Sequence, residues 1–351
     1  MPPADSKLPL FRCALLSVGS LLLGVLTACS AARAPEPASI PAEPGRVWPS
    51  PPAEPRIQWI GQVSSPADLG VKVPLISRIS NFLTGGDKGR EALVRPFGLA
   101  VDEAGNLCVT DTGSGAVSFY DLAQHQYRRW TEVGGQRFDF PVAVAKRGGL
   151  IYVADSGRQE VIVFNGQGQV QRRIREEADR PSGLAVTGDR LYVACANTHV
   201  IRVYDLQGHA LFQFGGRGVR PGEFNFPTHL AVDDQNRIYV TDAMNSRVQV
   251  FDAEGKFQRE IGSLGDGSGH FSRPKGVALD RRGEVFVSDA LFDNVQVFDG
   301  AGRFLMDFGS AGSQRGECWM PAGLAIAPGG RIYLADSYNG RVQIFQLLGT
   351  P

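Results

Sequence analysis

The sequence predicts an all-β protein: a six-bladed β-propeller of four-stranded antiparallel blades, its ring closed by an N-terminal strand. Three observations predict it. One unit of short β-prone runs and polar turns recurs six times. The copies follow one another at a spacing of about 45 residues, the size of a four-stranded blade. The last copy lacks a fourth strand, and a matching strand stands alone near the N-terminus.

The unit is clearest from Phe226 to Asp252, F-P-T-H-L-A-V-D-D-Q-N-R-I-Y-V-T-D-A-M-N-S-R-V-Q-V-F-D. Leu230–Val232, Ile238–Thr241 and Val248–Phe251 are β-prone, and Asp233–Asn236 and Asp242–Ser246 are turn-forming. Such a meander cannot bury both faces alone, so it needs copies of itself. The opening proline recurs at Pro96, Pro141, Pro181, Pro227, Pro274 and Pro321. Five second strands end in aspartate, at Asp111, Asp155, Asp242, Asp289 and Asp336, and Cys195 takes the position in the third copy. Third strands read V-S-F-Y-D, V-I-V-F-N, I-R-V-Y-D, V-Q-V-F-D twice and V-Q-I-F-Q. A weaker fourth strand follows, as at Lys256–Ile261 and Arg303–Phe308, and a Gly-rich loop leads to the next proline.

The consensus P-x-G-[VL]-A-[VL]-D…V-x-D-x-x-N-x-R-V-Q-V-F-D-x-x-G-x-F resembles the NHL repeat. The resemblance covers Arg95 to Phe345. It implies a propeller scaffold, which serves many functions and so does not select one.

Taken in order, the chain opens on an export signal over residues 1–28. Lys7 and Arg12 precede an apolar run from Cys13 to Val25, and Leu26-Thr27-Ala28-Cys29 follows. The apolar stretch is shorter than the roughly 20 residues of a spanning helix. L-T-A-C resembles a bacterial lipobox, which implies lipidation at Cys29 and a membrane anchor. Ser30 after the cysteine, in that sorting pattern, implies the outer membrane. Residues 29–55 read as a tether: eight of the 26 residues from Ser30 to Pro55 are proline, a composition that favours extended polyproline II.

The propeller is expected over residues 56–351. Arg56–Gly61 resembles the fourth strands Phe257–Gly262 and Phe304–Gly309, and should complete the sixth blade and remove a free sheet edge. Residues 62–94 are a non-repeat insertion. Within it Leu75, Ile76, Ile79, Phe82 and Leu83 have a helical period, stopped by Gly85-Gly86. This predicts a short helix, either packed on one end of the ring or serving as a docking element.

Composition narrows the function. Lys plus Arg and Asp plus Glu both number 36, which leaves no broad basic footprint for nucleic acid. Cys108, Cys195 and Cys318 show no disulfide framework and no C-x-x-C, so no haem is attached. A monomer that binds an envelope protein or peptide fits these features, with no cofactor.

Site residues are expected at one end of the ring, here called the top, which collects the loops before first strands and those between strands two and three. Phe97, Val142, Ser182, Thr228, Lys275 and Ala322 should ring the channel mouth. Met244, Leu291, Phe292, Tyr338 and Asn339 should lie further out. Leu291, Phe292 and Tyr338 stand where the repeat usually carries small or polar residues, and form either a binding patch or local loop packing. The alternative is an enzyme. Some propellers with similar repeats are zinc lyases whose metal is held by histidines of different blades, and lactonase propellers hold calcium. The lactonase ligand set is not recognisable here. His229, which replaces the repeat's glycine, with His199 and His270 would be the zinc set, provided that they converge.

Overall fold

A computed structural model describes residues 45–70, 91–122, 124–175 and 178–349. The lipobox with Cys29 and the helix expected around residues 75–83 lie outside the described residues.

Five four-stranded antiparallel sheets follow one another in chain order. Their first strands are Pro96–Val101, Pro141–Arg147, Pro181–Val186, Pro227–Val232 and Pro274–Leu279. Each predicted proline begins its strand, where a missing N–H costs the ladder least. The sixth blade combines Pro321–Ile326, Arg331–Asp336 and Arg341–Leu347 with Ile57–Val63 from the other end of the chain. First strands of successive blades pack against one another, the sixth against the first, so the ring is closed.

The closing strand pairs Ile57 with Leu347 and Val63 with Val342. Trp59 Nε1 donates to Gln343 Oε1 at 3.0 Å, and Arg341 donates to Gln62 Oε1 at 2.8 Å. The sheet also takes in two residues from the proline-rich stretch before position 56. Val47–Trp48 forms a fifth strand on Ile57–Val63. Trp48 is buried against Phe308 and Phe345, so an aromatic side chain in a proline-rich stretch is enough to draw it onto the blade. A small hairpin, Glu132–Val133 with Gln136–Arg137, also lies outside the repeat pattern.

Second and third strands carry the core. In every blade they alternate sides yet are buried over most of their length, and over all of it in Ile238–Asp242 and Arg247–Phe251, because a neighbouring blade covers each face. Polar residues there serve the frame. Gln249, Gln296 and Gln343, from the three V-Q-[VI]-F strands, each accept a backbone N–H of a preceding Gly-rich loop, at Gly222, Gly269 and Gly316. The same three amides donate back to carbonyls of Glu223, His270 and Glu317. Side-chain hydroxyls tie adjacent blades. Ser182 donates to the Pro227 carbonyl at 2.7 Å, Ser288 to Ala322 at 2.5 Å and Ser337 to Pro96 at 2.6 Å.

Ring closure by a distant strand makes Trp59 a sensitive position. Trp59→Ala is expected to cost about 3–5 kcal/mol in chemical denaturation, through lost volume and the lost indole hydrogen bond to Gln343. Gln58→Ala on the same strand should stay within about 0.5 kcal/mol. Equal effects would remove Trp59 from its place in closure.

Candidate functional site

The top face is built from aspartate. Each carboxylate at the end of a second strand holds two loops at once, through backbone N–H groups in blades one, two and five and with the help of the Asn245 and Asn339 amides in blades four and six. Asp111 accepts from the N–H groups of Val94 and Arg95 on one side and Gly113 and Ser114 on the other. Asp155 holds Asp139, Phe140 and Arg158 in the same way, and Asp289 holds Ser272, Leu291 and Phe292. In blades four and six ion pairs form, Arg247 with Asp242 at 3.0 Å and Arg341 with Asp336 at 2.7 Å. Burial pushes the Asp242 carboxyl up despite Arg247 and the Asn245 amide. Where Cys195 replaces the aspartate, Asp179 in the preceding loop takes the Asn197 amide instead.

The first strand is bulged where it leaves this face. In all six blades its register against the second strand shifts just after the proline. A bulge re-aims the side chains beside it. Here it affects the residues predicted for the mouth, and three of them converge from different blades. The rings of Phe97 and His229, from opposite blades one and four, are 5.6 Å apart. Lys275 Nζ of blade five lies 5.9 Å from the centre of the Phe97 ring. His229 is only 8% exposed, and neither ring nitrogen has a partner among the described groups. The buried Thr228 hydroxyl is likewise unpartnered. Burial, with Lys275 nearby, lowers the His229 imidazole to about 3. Val142 and Ala322 are buried, and Ser182 is occupied by Pro227.

The outer positions divide. Met244 and Leu291 are each 52% exposed and Tyr338 is 48% exposed. Phe292 is half-buried. Asn339 is also half-buried, but its amide is used to bind Asp336 and the Gly312 carbonyl, so it frames its loop rather than presenting a free donor. Sequence reasoning missed the residues just before each proline. Val94, Phe140, Phe226 and Trp319 are exposed there, and Trp319 packs at a tilt against Tyr338, ring centres 5.4 Å apart. Exposed Arg95, Arg180 and Arg273 interleave with them, Arg95 over the Tyr338 ring at 5.0 Å. Their signal was an apolar or basic residue in the one or two positions before the repeated proline.

The three histidines of the zinc alternative are not brought together. His199 is buried and accepts the Phe226 N–H at 3.1 Å on Nδ1, while packing edge-on against that ring. His270 sits in the outer Gly-rich loop, within 3.0 Å of the Ser263 hydroxyl. Only His229 reaches the channel. Among the described residues no group of three or more His, Cys, Asp or Glu side chains could hold a metal ion. The described thiols are all buried, and burial pushes Cys108 and Cys195 up to about 12, away from nucleophilic use.

Comparison with known proteins agrees with this architecture. Residues 319–345 match the NHL repeat, and residues 233–285 match a family described as a 6-bladed β-propeller. The protein is a six-bladed β-propeller with an NHL repeat. No curated protein sequence matches the chain. Among solved structures, the propeller is similar to a protein of unknown function from Bacteroides thetaiotaomicron, with 14% identity, TM-score 0.59, and 83% of this chain and 75% of that one covered. A streptogramin B lyase aligns with 12% identity and TM-score 0.55 over 73% of this chain and 94% of its own. A WD40 β-propeller domain aligns with 14% identity and TM-score 0.52 over 72% and 78%. At these identities the likeness is one of fold. Propellers of this shape include enzymes and binding domains.

A buried imidazole without partners has a pH signature. Unfolded His229 takes up a proton near 6.5, whereas the folded ring stays neutral down to about 3. Unfolding therefore binds a proton in that window, and stability falls by about 1.4 kcal/mol per pH unit as pH drops below 6.5. His229→Leu should remove this slope while leaving stability at pH 7 equal or higher, read by urea denaturation across the window. Parallel pH curves would show that the ring titrates normally.

Proposed function

We propose that the protein is a binding module of the bacterial cell envelope, lipid-anchored through Cys29, that recognises a protein or peptide segment on its top face. Recognition, not turnover, is the function. The observation that carries this reading is the distribution of exposed apolar side chains. Among the described residues eleven large hydrophobic side chains are exposed, and nine of them lie in top-face loops: Val94, Phe140, Val219, Phe226, Met244, Leu264, Leu291, Trp319 and Tyr338. Scattered singly, such residues need no explanation, but gathered on one face they mark an interaction surface. Aromatic and arginine side chains together are the usual anchors of such surfaces. Arg95, Arg180 and Arg273 among the apolar residues suit a segment that carries carboxylates as well as apolar groups.

The anchor and the outer-membrane location rest on the L-T-A-C-S sequence at residues 26–30. A lipid on Cys29 would hold the ring at a membrane while proline-rich chain sets its reach.

Two measurements test the reading. A photo-crosslinking residue at Tyr338 or Met244 should trap a partner in native membranes, whereas one at exposed Arg281, at the other end of the ring, should not. Trp319→Ala combined with Leu291→Asp should abolish the adduct. Trapping only from Arg281 would overturn the choice of face. Separately, Cys29→Ala should move the protein to the soluble fraction, and retention in membranes would sink the lipid anchor.

A further inference from the structure

The channel mouth differs from the apolar rim around it. Six residues follow the six prolines: Phe97, Val142, Ser182, Thr228, Lys275 and Ala322. None is acidic, and one is a cation. Lys275 is half-buried over the Phe97 ring, and the influences on it are burial and Arg273, both of which disfavour its charge. Beside it, the imidazole of His229 is more than nine-tenths buried with two unpartnered nitrogens, and the Thr228 hydroxyl is unpartnered as well. Buried polar groups are normally hydrogen-bonded, and a native exception asks for a ligand or another explanation. Three such atoms, the Thr228 hydroxyl and both His229 nitrogens, come from adjacent residues at the mouth, beside the Phe97 ring.

We propose that the mouth is a carboxylate-binding site, in which Lys275 supplies the charge, Thr228 and His229 supply hydrogen-bond donors, and Phe97 supplies an apolar wall. It rests on the docking reading of this face and adds the chemistry at its centre. The donor set suits one carboxylate. A single ammonium matches its charge, and a hydroxyl and a neutral imidazole N–H match its remaining lone pairs. Among the described residues, none of the six that follow the prolines is a carboxylate that could receive a cation. A seated anion also relieves the electrostatic cost of keeping Lys275 charged below solvent. The ligand group is either a chain-terminal carboxylate or an acidic side chain of the bound segment.

The test follows the His229 ring by NMR in histidine-labelled protein, its signal assigned by its loss in His229→Leu. Three probes are titrated: N-acetylglycine, N-acetylaspartate amide and N-acetylglycine amide. These carry a terminal carboxylate, a side-chain carboxylate and no carboxylate. The His229 signal should move saturably with at least one of the first two and not with the third, and the stronger of the two identifies the source. The His270 signal should stay fixed. Lys275→Gln should weaken the titration by about tenfold or more, and Thr228→Val should weaken it less. No saturable shift with either carboxylate, an equal response to the amide, or an unchanged affinity in Lys275→Gln would overturn the site. The rim variants Trp319→Ala and Leu291→Asp separate the two readings. They should leave this titration intact while removing partner capture, so loss of capture alone bears on the rim and loss of the titration alone bears on the mouth.

Discussion

A buried carboxylate at the end of each second strand is the constraint on which the top face depends. Five of the six blades have it, and in each it accepts backbone N–H groups from the loop before the first strand and, from the turn that follows, backbone N–H groups or, in blades four and six, the amide of Asn245 or Asn339. A carboxylate has four lone-pair sites, so one side chain can hold two loops against each other. Without it those N–H groups would sit unsatisfied at the end of a closed core. The loops it orders are the ones that carry Trp319, Tyr338, Leu291 and Phe140. Rigidity and exposure of these side chains therefore come from the same bond set.

The rest of the frame divides the work by region. The Asp–Arg pairs of blades four and six are fully enclosed, with further contacts from Arg247 to Glu260 and from Arg341 to Gln62. A buried pair of this kind contributes specificity of geometry more than net stability. The third-strand glutamines fix the outer loops, and serine hydroxyls fix one blade to the next. Together they leave the channel mouth as a place where polar groups are not used by the frame. That contrast singles out Thr228, His229 and Lys275: Ser182, which occupies the equivalent place in blade three, is engaged with its neighbour's carbonyl.

The candidate site was legible in part. Lys275, Thr228 and His229 could be placed at the mouth from their offset after a repeated proline, and Met244, Leu291 and Tyr338 in outer loops from their offset after the aspartate. Asn339 lies in the expected loop, and its amide, three residues after a buried carboxylate, is drawn back to it. His199 and His270 shared an end of the ring with His229 but not a position. One turns its Nδ1 to a backbone N–H, and the other lies in a loop at the blade edge. The apolar residues before the prolines escaped notice because glycine-rich connectors have no period from which exposure can be read.

By itself the sequence determined the number of blades, the strands within them and the closure by the N-terminal strand. These follow from local periodicity, from turn residues at a constant spacing, and from an unpaired strand at each end, all of which are one-dimensional signals. Only the tertiary structure decided which side chains meet across the channel. Phe97 and His229 are separated by three blades and more than 100 residues. Their approach depends on bulges, on the radius of the closed ring and on the size of the residues opposite, none of which is written in either repeat. The same is true of Trp48, whose burial against Phe308 and Phe345 pulls a proline-rich stretch into the sixth blade. Periodicity specifies a blade; contact between blades is a property of the ring.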